Sequence, residues 1–130
     1  MNKFEVIDAE APAILQIFED WSDSVLWTSG KYGFRNPRGE ELSLSPELIE
    51  KLVAIADENF SRYDLEYPPD SLPNAPDFQQ RLWNLAREVR DQVDPEWVVT
   101  CTDPEDEKIK FVRPTWDSRP ALIWESDIEI

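Results

Sequence analysis

Carboxylates are the side chains through which this sequence could do chemistry, because the other usual groups are scarce. The 130 residues include 28 Asp and Glu, one cysteine and no histidine. Paired carboxylates can cleave glycosidic bonds or bind Mg²⁺ and Ca²⁺. The densest groups are Asp103, Glu105, Asp106 and Glu107, and Glu19, Asp20 and Asp23. The first group lacks the alternating spacing and the turn glycine of a calcium loop, and with 28 acids in 130 residues clusters are expected by chance. We therefore interpret both as surface turns.

Nucleophilic, zinc and redox chemistry are disfavoured by the composition. Without histidine, Ser-His-Asp and Cys-His catalysis lose their base and most zinc sites lose a ligand. Cys101 lies between Thr100 and Thr102 in a β-branched stretch, which predicts a buried cysteine acting as a small hydrophobe. The common phosphate-binding glycine loops are missing from the sequence. We therefore predict no catalytic residue, no metal, no cofactor and no enzymatic activity.

The formal net charge is −15, since only 13 lysines and arginines oppose the acids. Such a surface repels nucleic acids and anionic lipids, and it attracts basic proteins. The same charge also serves solubility, and both explanations stay open. One cysteine and no apolar run of membrane-spanning length predict a cytoplasmic protein.

The clearest structural signals are those of two helices. Ser45 has the character of an N-cap and Pro46 that of a first helical residue, and leucines follow at a spacing of three to four. These features predict a helix over about 46–62. A second apolar stripe predicts a helix over about 76–93. The proline-rich stretch 64–76 between them predicts an extended surface segment.

The remaining apolar runs predict strands. Expected strands are residues 13–18, 24–28 and 97–102, with 108–113 as the hairpin partner of the last, 121–124 as a final strand, and 3–8 as a strand or an ordered arm. In the hairpin over about 97–113, alternation predicts that Ile109 and Phe111 face inward. Together these elements predict an α+β fold: one domain over 1–130, with a small, mostly antiparallel sheet and two helices packed on one face.

Three short motifs resemble a pattern seen in small acidic bacterial proteins that are usually labelled as having unknown function. The motifs are Trp27 with Gly30, the helix start Leu44-Ser45-Pro46-Glu47-Leu48, and Asp94-Pro95-Glu96-Trp97 leading into a strand. The resemblance covers about residues 24–102. It implies a bacterial source and an α+β fold, and it brings no functional residue with it.

Acidity without catalytic groups favours a non-catalytic protein-binding module, such as an immunity- or antitoxin-like neutraliser of a basic partner. The candidate partner-binding residues are Trp21, Trp27, Tyr63, Tyr67, Leu72, Trp116 and Trp124. Aromatic side chains are enriched in binding hot spots, and proline-stiffened loops lose little entropy on docking. We expect no direct binding of nucleic acid or membrane. A structural or accessory subunit, a nucleic-acid mimic and a carboxylate-based enzyme or metal binder remain alternatives.

Overall fold

The computed structural model describes residues 4–19, 24–61 and 75–124. In chain order the elements are β1 (Ala13–Ile17), β2 (Leu26–Gly30), the 3-10 helix η1 (Gly39–Leu42), α1 (Pro46–Ser61), α2 (Phe78–Gln92), β3 (Trp97–Thr102) and β4 (Ile109–Phe111). The predicted α+β class is confirmed, with two helices and a mixed, mostly antiparallel sheet.

The sheet has the strand order β2-β1-β3-β4. β1 pairs antiparallel with β2 and parallel with β3, and β3 pairs antiparallel with β4. A parallel pair needs a long crossover connection. Here the crossover from β1 to β3 contains β2, η1 and both helices, so the central pairing determines where the helices lie.

The core lies between the helices and one face of the sheet. Leu15 lies at the centre of that face, directly opposite Thr28 of β2 and Val99 of β3, and all three are buried. The helices add Leu48, Leu52, Ile55 and Ala56 from α1 and Phe78, Leu82, Leu85, Ala86 and Val89 from α2. These side chains belong to one hydrophobic cluster with the strand residues.

The starts of the two helices differ. Ser45 Oγ accepts the Leu48 backbone N–H at 3.3 Å, as an N-cap does. The second helix begins at Phe78 after a turn in which Phe78 N–H donates to the Ala75 carbonyl at 2.9 Å, and its N-cap residue Asp77 makes no capping side-chain hydrogen bond. The predicted surface segment lies outside the described residues as far as residue 74. Neither described helix is long and apolar enough to cross a membrane.

A tight turn after β2 depends on glycine. Gly30 has φ 74°, and a Cβ there would lie 2.1 Å from the Pro12 carbonyl oxygen. That close approach lets Lys31 N–H donate to the same oxygen at 2.9 Å. Gly30 therefore holds the end of β2 against the residue that precedes β1.

The N-terminal segment is an ordered arm where it is described. Ile7 and Asp8 donate their backbone N–H groups to the Lys31 carbonyl at 2.7 and 3.1 Å. The Phe4 ring meets the Trp97 ring edge-on, with the centroids 5.8 Å apart. Residues 4–8 form no strand, so the arm alternative is the correct one for this part of the predicted segment 3–8.

The prediction that Ile109 and Phe111 face inward is wrong. Phe111 lies opposite Thr100 and Ile109 lies opposite Thr102. These positions belong to the sheet face opposite the one that carries Cys101 and packs on the helices. Both side chains are only half-buried there.

Val112 gives the physical reason for that orientation. Its backbone N–H donates to the Val99 carbonyl at 2.8 Å, and its side chain is buried in the core with Val99. Lys110 lies opposite Cys101 on the same face, and its ammonium contacts the carboxylates of Asp103 and Asp106 at the hairpin tip at 2.9 Å each. Alternation assigned two faces to this strand, and the buried Val112 determines which of them packs on the core.

The segment 121–124 extends the sheet beyond β4 without forming a full strand. Lys110 and Ile123 form a single antiparallel bridge. Phe111 N–H donates to the Leu122 carbonyl at 2.8 Å, and Trp124 N–H donates to the Ile109 carbonyl at 3.1 Å. The outer edge of β4 is therefore partly covered.

Replacing Leu15 with Ala should lower the free energy of unfolding by about 2–5 kcal/mol, because it leaves a cavity where three strands and the helices meet. Urea unfolding followed by circular dichroism measures this change. Gln16→Ala, on the opposite sheet face, serves as the control and should cost less than about 1 kcal/mol. Equal losses for the two variants would contradict the assignment of the faces.

Candidate partner-binding surfaces

Trp116 is more exposed than any other large hydrophobic side chain in the described ranges. Its fractional exposure is 80%. It lies in a turn between β4 and the outer segment 121–124, and we call residues 113–119 the Trp116 turn. An exposed indole ring forgoes the hydrophobic free energy that burial would supply.

Arg87 of α2 fixes the backbone of the Trp116 turn. Its guanidinium donates to the backbone carbonyls of Arg113, Pro114 and Asp117 at 3.2, 2.7 and 2.6 Å. A planar guanidinium has its donors in a fixed fork, so three acceptors restrict the path of the backbone on both sides of Trp116.

Asp91, one helical turn further along α2, holds the next part of the turn. Its carboxylate accepts the Thr115 backbone N–H at 2.9 Å and the Thr115 hydroxyl at 2.6 Å. The residue immediately before Trp116 is therefore tied to the helix by both its main chain and its side chain.

Asp117 completes the network from within the turn. Its side chain is only 8% exposed. It accepts hydrogen bonds from the Arg119 guanidinium at 2.7 Å and from the Arg119 backbone N–H at 3.0 Å, and it lies 3.6 Å from the Arg113 guanidinium. These contacts, with the Arg119 side chain first, hold the pKa of Asp117 far below its ordinary value.

The Trp116 turn therefore presents an uncovered ring on a restrained backbone. Tryptophan, tyrosine and arginine are enriched among the residues that contribute most to binding at protein interfaces. A restrained backbone loses less entropy when it docks. The geometry suits contact with another protein.

A second surface is the sheet face that the helices leave uncovered. Trp27, Gln16, Thr100 and Phe111 lie directly opposite one another across the four strands, in one row. We call this the aromatic sheet face. Thr100 in the middle is buried, and the two rings at the ends of the row are half-buried.

Each ring at the end of the row has an aromatic neighbour. Trp27 stacks on Phe34 at 5.5 Å between ring centroids. At the other end, Phe111 meets Trp124 nearly edge-on at 4.8 Å. The Trp27 indole N–H donates to the Phe18 carbonyl at 3.2 Å. These rings are thus partly covered by neighbouring rings of the chain, whereas the Trp116 ring is 80% exposed.

The structure brings two of the predicted partner-binding residues onto one face and leaves a third apart. Trp27 and Trp124 flank the aromatic sheet face, whereas Trp116 lies in its own turn. Trp21, Tyr63, Tyr67 and Leu72 lie outside the described residues. Sequence reasoning missed Phe34, which is 78% exposed. The signal for it was an aromatic residue directly after a turn glycine.

The carboxylates near residue 105 form a hydrogen-bonded turn. Asp103 accepts the Glu105 backbone N–H at 2.8 Å, and Asp106 accepts the Lys108 backbone N–H at 3.1 Å. The Lys110 ammonium lowers the pKa of Asp106. Within the described ranges, no three His, Cys, Asp or Glu residues cluster so that they could hold a metal ion. Asp20 and Asp23 of the other predicted turn lie outside those ranges.

Cys101 is a buried core residue, as predicted. Its exposure is 0%. Burial raises the pKa of its thiol far above the ordinary value. The thiol therefore stays protonated at neutral pH, and a protonated thiol is a poor nucleophile.

An α+β domain with an acidic surface, a restrained exposed tryptophan and a ring-lined sheet face has the features of a protein-binding domain. A family model described as Serratia CdiI immunity protein-like matches residues 13–104, and the chain belongs to this family. The match starts with β1 and ends just after β3, so it includes both helices. No curated protein matches the chain. As a member of an immunity family, the chain neutralises a protein partner by binding it.

Asp117→Asn should destabilise the protein at neutral pH, because the neutral amide cannot pair with Arg119. A carboxyl whose pKa is lower in the folded state stabilises that state above its unfolded pKa, about 4. This contribution disappears as the pH falls further. We expect the difference in unfolding free energy between wild type and variant to stay constant from pH 7 to about pH 5 and to shrink below about pH 4. Urea unfolding across this range measures it, and a difference independent of pH would contradict the ion pair.

Proposed function

We propose that this chain neutralises a basic protein toxin and that the Trp116 turn is its main contact. The observation that carries the proposal is an indole ring that is 80% exposed on a turn held by Arg87, Asp91 and Asp117. Neutralisation proceeds by binding alone, without catalysis and without a cofactor.

The distribution of charges supports a basic partner, because most described cations are already engaged within the chain. Lys31 pairs with Glu96, Lys51 with Glu88, Arg81 with Glu58 and Asp77, Lys110 with Asp103 and Asp106, and Arg113 and Arg119 with Asp117. Arg87 and Arg90 donate to backbone carbonyls. A partner therefore meets few uncompensated cations.

Many carboxylates, in contrast, have no cationic partner among the described residues. No ion pair to another described residue is formed by Glu5, Asp8, Glu10, Glu40, Glu41, Glu47, Glu50, Asp57, Asp91, Asp94, Glu105 or Glu107. A field of this sign speeds encounter with a cationic protein and disfavours anionic ones.

The Trp116 turn lies outside residues 13–104, the part of the chain that the family model matches. The proposed contact therefore rests on the structure of this turn and not on the family match. Trp27 and Trp124 would add contacts from the aromatic sheet face, and the proposed roles of Trp21, Tyr63, Tyr67 and Leu72 remain predictions from the sequence.

Capture followed by a growth assay tests the function. The tagged chain is incubated at low salt with a lysate of the organism that encodes it, and stoichiometric partners are identified by mass spectrometry. Each partner is then expressed in a sensitive host with and without the chain. We expect one basic protein that stops growth alone and is harmless with the chain. No stoichiometric basic partner, or a partner whose toxicity the chain does not relieve, would contradict the proposal.

Trp116→Ala should weaken binding of the captured toxin by about 30-fold or more, as for a hot-spot tryptophan worth about 2 kcal/mol. The free energy of unfolding should change by less than about 0.5 kcal/mol, because the ring is exposed. Isothermal titration calorimetry and urea unfolding measure the two quantities.

Phe34→Ala is the matched control for this substitution, since its ring is 78% exposed and already stacks on Trp27. We expect it to weaken binding by less than tenfold. If Phe34→Ala costs more affinity than Trp116→Ala, the aromatic sheet face is the main contact and the assignment to the Trp116 turn is wrong.

A further inference from the structure

A cavity of about 330 Å³ opens between the start of β2, η1 and α1. We propose that this cavity receives a single lysine or arginine side chain of the toxin. The proposal rests on the proposed function and adds to it a second contact, of stated chemistry, away from the Trp116 turn.

The floor of the cavity is apolar and firmly held. Val25, Leu26 and Leu52 line it and are buried members of the core. Gly39 of η1 lies against Ile49 of α1, since a Cβ at Gly39 would lie 2.6 Å from Ile49 Cγ1. Because Gly39 has no side chain, η1 packs directly on α1. The contact between these two elements therefore forms one wall of the cavity.

The rim of the cavity is mainly acidic. Glu40 and Asp57 line it, are exposed, and form no ion pair or side-chain hydrogen bond with another described residue. Arg38 is the one cation among the lining residues. Two carboxylates against one guanidinium leave a net negative rim above an apolar floor.

Lysine and arginine have the side chains that match both parts. Their methylene stems cover apolar surface while the charged head remains near water. An apolar side chain would fill the floor but leave the rim carboxylates without a partner, and an acidic one would be repelled. A volume near the lower limit of ligand pockets, about 300 Å³, suits one side chain better than an extended ligand.

The first test compares two double variants that each remove two negative charges. Glu40→Gln with Asp57→Asn neutralises the rim, and Glu10→Gln with Glu47→Gln neutralises exposed carboxylates that do not line the cavity. We expect the rim pair to weaken binding of the captured toxin at least tenfold and the control pair to weaken it less than threefold. Equal losses of affinity in the two double variants would assign the effect to overall charge and overturn the proposal. An unchanged affinity in the rim variant would also overturn it.

The second test needs no toxin. Nα-acetyl-lysine methylamide and its uncharged analogue Nα-acetyl-norleucine methylamide are titrated into the full chain while the methyl signals of Val25, Leu26 and Leu52 are followed by NMR. We expect saturable shifts with the lysine probe alone, and their loss in the Glu40→Gln, Asp57→Asn variant. The absence of such shifts, or equal shifts with both probes, overturns the proposal.

The two tests separate the cavity from the function. If the chain captures no toxin, the proposed function is wrong. The NMR titration then decides by itself whether the cavity binds a cationic side chain. A chain that protects cells but fails either cavity test keeps the proposed function and loses this contact.

Discussion

β1 and β3 lie side by side and run in the same direction, with Leu15 opposite Val99. Because a parallel pair cannot be joined by a tight turn, the chain must return across one face of the sheet. Both helices lie in that connection and bury the face that carries Leu15. The opposite face keeps Trp27 and Phe111 half-exposed at the two ends of one row. The division of the molecule into a covered and an uncovered face follows from this pairing.

The same helices that form the core also position the proposed contacts. On α2, Leu82 and Val89 point into the core, while Arg87 and Asp91 hold the Trp116 turn. On α1, Leu52 forms the cavity floor. The proposed contacts are thus attached to rigid elements, which would reduce the entropy lost on binding.

Local features of this fold could be predicted from the sequence, whereas features that join distant residues could not. The cap at Ser45 and the leucine spacing that follows it identified α1, because both signals lie within the helix itself. Nothing in Ala13–Ile17 indicates a parallel partner some eighty residues later. Alternation gave Ile109 and Phe111 a common face but the wrong one, because alternation alone does not show which face packs on the core.

The Trp116 turn shows the same limit of prediction from the sequence. Trp116 could be named from its type and its loop position, since an aromatic residue among polar ones suggests a binding role. The residues that hold the Trp116 turn could not be predicted, because Arg87 looks in the sequence like any charged residue on a helix surface. Its acceptors in the turn lie 26 to 30 residues further along the chain. The aromatic sheet face was likewise invisible until the strand order was known.

Hydrogen exchange of the chain, alone and in complex with the captured toxin, tests the central claim most directly. We expect slower backbone exchange on binding in the Trp116 turn and around η1, with little change in β1 and β3, whose amides the fold already protects. Unchanged exchange in the Trp116 turn, with new protection confined to other surfaces, would contradict the claim that this turn is the main contact with the toxin.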